Sequence, residues 1–506
     1  MTNKITGSST GPSGAEPASH ASAIRHRLAE ARTLELDGCI EASLAIADEA
    51  CARARLVGDR AVLAEALVQV ARALDGRQTA SARREAERRY HEALEIAADT
   101  GQAELAAGVW NRLVLLAIDM DSGTQQARQS WACNAVAVSR LDRASCCDAV
   151  YHDARLHHLL CEIYYREGKY GDAERAARQA LAAIAGPAEL TTEQQRNRRR
   201  ERSRYEDALA KSLEAQGKLG EALELHATAL GVAESALGAS HPDVIKLRMN
   251  LGLAQKKLGR LDAARVTLHG ALADMRDACR NFSLDAGMLH SCLSDLYYET
   301  CELDDASLHA HLAQQIYDRV EAPDHRRAEA CIAVGNAELK RKNFTEALTS
   351  YQRARELRQP NLCGDHYQMG INEGSLAEAL VGLQRYDAAL VHVCEARRIL
   401  ALDPAQLAAC QGWILAVHGE VLVGQNQPRA AIPLLEQALA WFAEAPDRHN
   451  EAMAAWALAR ALQAVGEDAD RLRSLADRAR ALFTSLGGAE ADNLAAVERF
   501  LAPVAA

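Results

Sequence analysis

The amino-acid sequence predicts an all-α solenoid of about eleven stacked helix pairs, followed by a C-terminal capping helix. Eleven copies of one pattern follow one another 41 to 49 residues apart, and ten of them have two small residues seven positions apart. Internal repeats of this length indicate stacked supersecondary units. Short turns that contain glycine, such as residues 167–171, separate the predicted helices. No segment shows the alternating polar and apolar pattern of a β-strand.

The small residues mark the contact between the two helices of each unit. The first small position of the second helix is Ser43, Ala86, Arg128, Ala173, Ala222, Ala264, Ala306, Ala347, Ala389, Ala431 and Ser474. Seven residues later every unit has alanine. Twelve residues before the first small position most units have another small residue, such as Gly252 or Gly335. Small side chains at these places allow two helices to pack closely. The second, third and last units are the least regular, because Leu74, Leu116 and Leu462 stand where other units have a small residue and Arg128 occupies the first small position of the third.

The stretch from Glu221 to Leu272 carries two copies of this pattern 42 residues apart, with Asn250-Leu251-Gly252 standing twelve residues before Ala264. It resembles the tetratricopeptide repeat, in the longer variety of kinesin light chains and many bacterial signalling proteins. The resemblance extends over residues 21–487. It implies a right-handed superhelix in which the first helix of each pair lines a concave groove that holds a partner protein.

Three segments are expected along the chain. Residues 1–20 are rich in Ser, Thr, Gly and Pro and are predicted to form a disordered leader. Residues 21–487 form the solenoid. Residues 488–506 are predicted to form the capping helix, because the last repeat of a solenoid needs a cover for its apolar face. The leader also resembles, loosely, an export signal for type III secretion.

The composition excludes several classes of function. A net charge of −11 argues against general nucleic-acid binding, which requires a basic surface. No run approaches the ~18 apolar residues of a membrane span. Thirteen cysteines without a CxxC motif indicate reduced thiols and a cytoplasmic protein. Phosphate-binding loops and the common catalytic motifs are not found, so we expect no enzyme activity, no catalytic residue and no cofactor.

One pair of residues has the spacing of a metal site. His157 and Cys161 lie four residues apart, on one face of a predicted helix. However, Cys161 occupies the position that holds glycine or alanine in sister units, which makes it a packing residue. We therefore expect no metal.

The resemblance implies a set of groove residues on the first helices. Transferred one by one onto this chain, these positions are Arg155, His158, Glu162, Arg204, Asp207, Lys211, Lys246, Met249, Asn250, Leu253, Lys256, Asp295, Tyr298, Asn336, Glu378, Trp413 and Glu420. In the family, the asparagine before the Leu-Gly pair often bonds the backbone of an extended peptide, and Asn250 matches it. The lysine and asparagine clamp of chaperone-binding repeats is not found in adjacent units, so chaperone tails are not the expected ligands.

Six arginines in nine residues form the densest charge cluster of the chain. They are Arg196, Arg198, Arg199, Arg200, Arg202 and Arg204. The planar arginine fork suits carboxylates, so this cluster is a candidate docking site for an acidic protein. Acidic neighbours such as Glu201 allow another interpretation, a solvated helix face whose charges pair three or four residues apart.

The sequence therefore predicts a non-enzymatic scaffold that binds a peptide or helix of a partner protein in its groove. The alternative is the sensory or regulatory arm of a bacterial signalling system, whose kinase, cyclase or transcription regulator is a separate polypeptide. An exported effector is the third interpretation. The identity of the partner does not follow from the sequence.

Overall fold

A computed structural model shows helices packed pairwise in chain order. It describes residues 15–77, 79–119, 149–185, 192–278, 281–359, 364, 366–402, 404–444, 447–466, 469–487 and 490–502. The described residues form two compact units. Unit 1 comprises the described residues up to Cys292 together with Arg319–Ala322, and unit 2 comprises Leu293–Asp318 and the described residues from Pro323 onward.

The described residues contain 22 helices, which confirms the all-α helix-pair prediction. In chain order they are α1 (Ala15–Leu36), α2 (Ile40–Val57), α3 (Arg60–Gly76), α4 (Ala80–Asp99), α5 (Ala103–Asp119), α6 (Ala149–Arg166), α7 (Tyr170–Ile184), α8 (Thr192–Ala215), α9 (Leu219–Leu237), α10 (Pro242–Lys257), α11 (Leu261–Asp277), α12 (Leu284–Glu299), α13 (Leu303–Arg319), α14 (Asp324–Lys340), α15 (Phe344–Arg358), α16 (Tyr367–Gly382), α17 (Tyr386–Leu400), α18 (Pro404–Gly424), α19 (Pro428–Glu444), α20 (Arg448–Val465), α21 (Ala469–Leu486) and α22 (Ala491–Leu501). None of the described helices is long and apolar enough to cross a membrane.

The small residues lie at the contact between paired helices, as the repeat pattern predicts. A Cβ atom added to Gly252 would stand 2.7 Å from Leu268, and one added to Gly335 would stand 2.5 Å from the ring of Tyr351. Contacts this short leave room only for hydrogen. In the first pair, the Ser43 hydroxyl donates to the carbonyl of the opposite helix at 2.8 Å. The close helix approach therefore depends on the repeated small side chains.

Most of the described turns between paired helices contain one residue with positive φ. Gly168 and Gly259 have φ of 74° and 73°, the left-handed region that glycine enters without strain. In unit 2 the same turn position is held by Cys301, Lys342 and Gln384, with φ of 59°, 64° and 58°. These side chains occupy a region that L-residues rarely adopt. These turns of unit 2 therefore have the same backbone conformation although a residue other than glycine adopts the positive φ.

The last pair departs from the predicted repeat frame. Ser474 and the alanine seven residues later are exposed. Ala476 and Phe483, both fully buried, occupy the contact positions instead. Helix α21 begins seven residues before Ala476, whereas α11 begins three residues before Ala264. The frame predicted for this pair is therefore wrong by two residues.

The N-terminal boundary also differs from the prediction. Helix α1 begins at Ala15, so the last six residues of the predicted leader are helical. Residues 1–14 lie outside the described residues, as do Arg128 and Ala135, which the predicted repeat frame assigns to the third unit.

Candidate interaction faces on the first helices

In unit 1, polar side chains of successive first helices meet on one face, which we call the unit-1 face. It comprises Arg155 and His158 of α6, Arg204, Asp207 and Lys211 of α8, and Asp243 with the exposed Lys246 one turn later on α10. Arg155 lies 3.7 Å from Glu201, and His158 packs against the ring of Tyr205 with centroids 4.9 Å apart. Burial lowers the pKa of His158. The structure thus brings together several of the groove residues predicted from the sequence.

Asp207 has the largest number of partners on the unit-1 face. Its carboxylate accepts hydrogen bonds of 2.9 and 3.1 Å from the Asn250 amide and lies 2.7 Å from the Lys211 ammonium. The Nδ1 atom of His226 is 3.0 Å away. Burial alone would raise the pKa of Asp207, but Lys211 and His226 outweigh it and hold that pKa well below its ordinary value.

Three of the predicted groove residues are buried, among them Asp207 of the unit-1 face, which is 6% exposed. Met249 is only 1% exposed, so the prediction that it lines the ligand surface is wrong. Asn250 is 9% exposed, and its side-chain amide already donates to Asp207 rather than facing a groove. The Asn250 side chain turns toward Asp207 of the neighbouring first helix, α8. By contrast, Lys246 is exposed, and Glu162 and Lys256 are half-buried.

The arginine cluster is largely engaged within the chain. Arg196 lies 2.7 Å from Asp37, and Arg198 donates to the carbonyl of Ile184 at 2.8 Å. Arg200 and Arg204 both pair with Asp243, at 2.5 and 3.3 Å. In addition, Arg202 pairs with Glu206 at 2.9 Å, whereas Arg199 is exposed. Most arginines of the cluster are therefore already engaged, which disfavours an acidic docking site. Of these contacts, only the Arg202 pair has the predicted spacing of three or four residues; the other partners are distant in sequence.

Sequence reasoning missed part of the polar network of unit 1. Glu35 accepts hydrogen bonds from Arg72 at 3.0 Å and from Gln69 at 2.9 Å. Burial would raise the pKa of Glu35, but Arg72 and Arg112 lower it to about 2. The small-residue frame is irregular in these early units, so it did not indicate them. Asp243 was missed because its His-Pro-Asp tripeptide has a local role, in which His241 caps α10.

In unit 2, aromatic and acidic side chains of successive first helices lie together, and we call this the unit-2 face. It comprises Tyr298 of α12, Lys340 of α14, Glu378 of α16, and Trp413 and Glu420 of α18, with Asp447 at the start of α20. The Trp413 indole donates to Glu378 at 3.0 Å, and the Lys340 ammonium lies 3.8 Å from the centre of the Tyr298 ring. The sequence predicted four of these six residues.

Neighbouring side chains order the unit-2 face. The Tyr351 hydroxyl donates to Asn336 at 2.8 Å, so this predicted groove residue already has a partner. Arg460 pairs with Glu420 at 3.2 Å. The C-terminal helix α22 packs alongside, where Phe500 meets Trp456 edge to face with centroids 5.0 Å apart. Helix α22 thus covers the last pair, as a capping helix does.

Among the described residues, no group of three or more His, Cys, Asp or Glu side chains is placed to hold a metal ion. Cys161, part of the candidate pair with His157, is 1% exposed and packs 3.7 Å from the Ser212 hydroxyl. Burial raises the pKa of the Cys161 thiol to about 12, so it remains protonated and unreactive.

Comparison with known proteins identifies a repeat family within unit 1. The family model described as tetratricopeptide repeat matches residues 202–274. This range contains α9 and α10, with most of α8 and α11. No curated protein matches the chain.

Several solved structures are similar to parts of the chain. BtubC (BKLC) from P. vanneervenii is 18% identical with a TM-score of 0.40, covering 47% of this chain and 92% of that protein. A putative kinesin light chain with nearly identical TPR-like repeats from Podosopora anserina is 18% identical with a TM-score of 0.36, covering 40% and 95%. A Rap protein complexed with Competence and Sporulation Factor is 13% identical with a TM-score of 0.43, covering 69% and 97%.

Proposed function

We propose that this tetratricopeptide repeat protein is a non-enzymatic cytoplasmic scaffold that binds an extended peptide or a helix of a partner protein along its first helices. Tetratricopeptide repeats generally serve as protein-interaction modules. Fold alone does not decide function, so the proposal depends on the side chains of these faces.

The observation that carries the proposal is the arrangement of the first-helix side chains. Half-exposed polar and aromatic groups recur at equivalent positions of successive helices, and hydrogen bonds between neighbouring helices hold them in place. A surface whose rotamers are already ordered loses little side-chain entropy when a ligand binds. Arg155, with its side chain 44% exposed, and the exposed Lys246 are the accessible cations of the unit-1 face.

Pull-down of the tagged chain from lysate of its own cells tests this proposal. The variant Arg155→Glu with Lys246→Glu reverses two accessible charges of the unit-1 face. The matched control, Lys169→Glu with Arg175→Glu, reverses two exposed charges on the outer side of the fourth pair, at α7. We expect specific partners to be lost from the first variant and retained by the control, because only the first variant alters the binding face. Identical partner sets for all three proteins would contradict the proposal.

A further inference from the structure

The first helix pair of unit 1 contacts helices that begin four and five pairs later in the chain. The Arg196 guanidinium, near the start of α8, lies 2.7 Å from the Asp37 carboxylate in the turn between α1 and α2. The same guanidinium donates a hydrogen bond of 3.1 Å to the carbonyl of Ala236, in the last turn of α9. Unit 1 therefore returns on itself at this turn.

Gly38, the next residue of the turn, lies against the start of α10. A Cβ atom added to Gly38 would stand 3.0 Å from Cδ of Pro242, the first residue of that helix, and the φ of Gly38 is 79°. A side chain at residue 38 would meet both a strained backbone and a crowded neighbour, and glycine avoids both. We call the contacts of Asp37 with Arg196 and of Gly38 with Pro242 the latch.

The latch lies at one end of the unit-1 face. Arg200 and Arg204 follow Arg196 on α8 at intervals of four residues, so the three side chains share one side of the helix. Asp243, which pairs with both Arg200 and Arg204, directly follows Pro242. The turn between α1 and α2 therefore lies beside the end of the face where α8 and α10 begin. A ligand that extends along these first helices would meet it.

The latch joins helix pairs that are not neighbours in the chain. In a solenoid each repeat is stabilised by contacts with the repeats on either side of it, so the pairs keep their packing when a contact over a longer span opens. The ion pair of the latch is also partly exposed, with 31% of the Arg196 side chain and 43% of the Asp37 side chain accessible to solvent. Exposed ion pairs contribute little to stability. The latch can thus open locally without unfolding of a helix pair.

A contact of the same span occurs in unit 2. The Lys342 ammonium, in the turn between α14 and α15, lies 2.6 Å from the Asp492 carboxylate near the start of α22. Helix α22 follows the eleventh pair, so this ion pair also connects a turn with the helix that begins four pairs later. The cation is on the turn here, whereas it is on the helix in unit 1. Two ion pairs of different residues thus make the same kind of connection.

We propose that the latch is a gate, which holds the turn between α1 and α2 beside the unit-1 face and opens to admit a segment of a partner protein. The inference rests on the proposed function only for the ligand, since a protein segment is what the unit-1 face is proposed to bind. The opening of the latch itself can be measured without a ligand.

Hydrogen–deuterium exchange of the full chain, followed by mass spectrometry, measures that opening. The informative peptides contain the first turns of α8 and α10, because the first amides of a helix have no acceptor within the helix and depend on what covers them. Asp37→Arg and Arg196→Asp each replace the ion pair with two like charges, and each should speed exchange of these peptides about threefold or more.

Two further variants serve as controls for the exchange measurement. Asp37→Arg combined with Arg196→Asp rebuilds the ion pair with its charges exchanged and should return exchange to the wild-type rate. Asp99→Arg makes the same change of charge at another exposed ion pair of unit 1, where Arg60 lies 2.8 Å from Asp99. It should leave exchange at the starts of α8 and α10 unchanged. Circular dichroism of each variant establishes that the helices are retained.

Pull-down from lysate of the same cells then tests the gate. The partners to follow are those that the Arg155→Glu with Lys246→Glu variant loses. Asp37→Arg and Arg196→Asp should each recover about threefold more of these partners than the wild-type protein, because the open state is more populated. Since the two variants change the charge in opposite directions, an increase with both excludes a direct effect of charge on the ligand.

Exchange that is the same in wild type and in both single variants, or that stays fast in the double reversal, would overturn the inference, because the ion pair would then not hold the turn. Faster exchange without greater recovery of the partners would also overturn it, since the latch would open without admitting them, and the proposed function would stand. A pull-down in which no partner depends on Arg155 and Lys246 would refute the proposed function and the gate together.

Discussion

The contact between Gly335 and Tyr351 gives a sharp test of the helix packing. A Cβ atom at residue 335 would lie 2.5, 2.7 and 2.8 Å from Cε1, Cδ1 and Cζ of the Tyr351 ring. The ring is 1% exposed, and its hydroxyl is held by Asn336, so it has little room to move. Gly335→Ala therefore forces one of the two helices to shift.

The expected magnitude follows from two opposing effects. Overpacking a well-packed core costs about 1–3 kcal/mol, whereas Gly→Ala within a helix contributes about 1 kcal/mol of intrinsic stability. Gly335→Ala should therefore destabilise the protein by up to about 2 kcal/mol. Gly231 lies inside α9, and an added Cβ atom there would meet nothing within 4 Å. Gly231→Ala should stabilise by about 0.5–1 kcal/mol, so the same substitution is expected to have opposite signs at the two sites.

Urea unfolding followed by circular dichroism measures both effects as shifts of the midpoint. In a Tyr351→Leu background the steric conflict is removed, and Gly335→Ala should become neutral or stabilising. The coupling between residues 335 and 351 should then be about 1 kcal/mol or more. Midpoints that move in the same direction for Gly335→Ala and Gly231→Ala would refute the argument, as would a cost of Gly335→Ala that is unchanged by Tyr351→Leu.

Three further outcomes are expected. Burial lowers the pKa of His226, but Asp207 at 3.0 Å and Glu214 at 3.2 Å outweigh burial and raise that pKa. The stability that this contact contributes is present below pH 6.5 and is lost as the pH rises through the raised pKa. Between pH 6 and 9 the urea midpoint should therefore fall more for the wild-type protein than for His226→Gln. Gln384→Gly should raise the free energy of unfolding by about 0.5–1 kcal/mol, because residue 384 has a φ of 58°, and a lower urea midpoint would contradict the turn argument. Tyr90 is fully buried, and its hydroxyl has no hydrogen-bond partner among the described residues. Tyr90→Phe should therefore stabilise the protein by about 1 kcal/mol in the same assay. Destabilisation would show that the hydroxyl does form a hydrogen bond.

The sequence by itself determined the helix pairs, because the signals that specify them are local. The helix contact requires small residues at fixed spacing, and the turn requires a residue that tolerates positive φ, so Gly252 and Gly259 could be recognised from their neighbours alone. The same frame placed Tyr298, Glu378 and Trp413 on one set of first helices. The number of residues between the start of a second helix and its first contact residue is larger before Ala476 than in other pairs. No local feature of the sequence marks this difference, so the contact positions predicted for the last pair were wrong.

Only the tertiary structure decided which charges pair with one another. Arg196 meets Asp37 across 159 residues, and Asp207 takes its hydrogen bonds from Asn250 in the next repeat. A charged side chain can pair with any opposite charge that folding brings near it, and sequence spacing specifies such a neighbour only within a helix. The compensation of the arginine cluster therefore arises from contacts with elements that are distant in sequence.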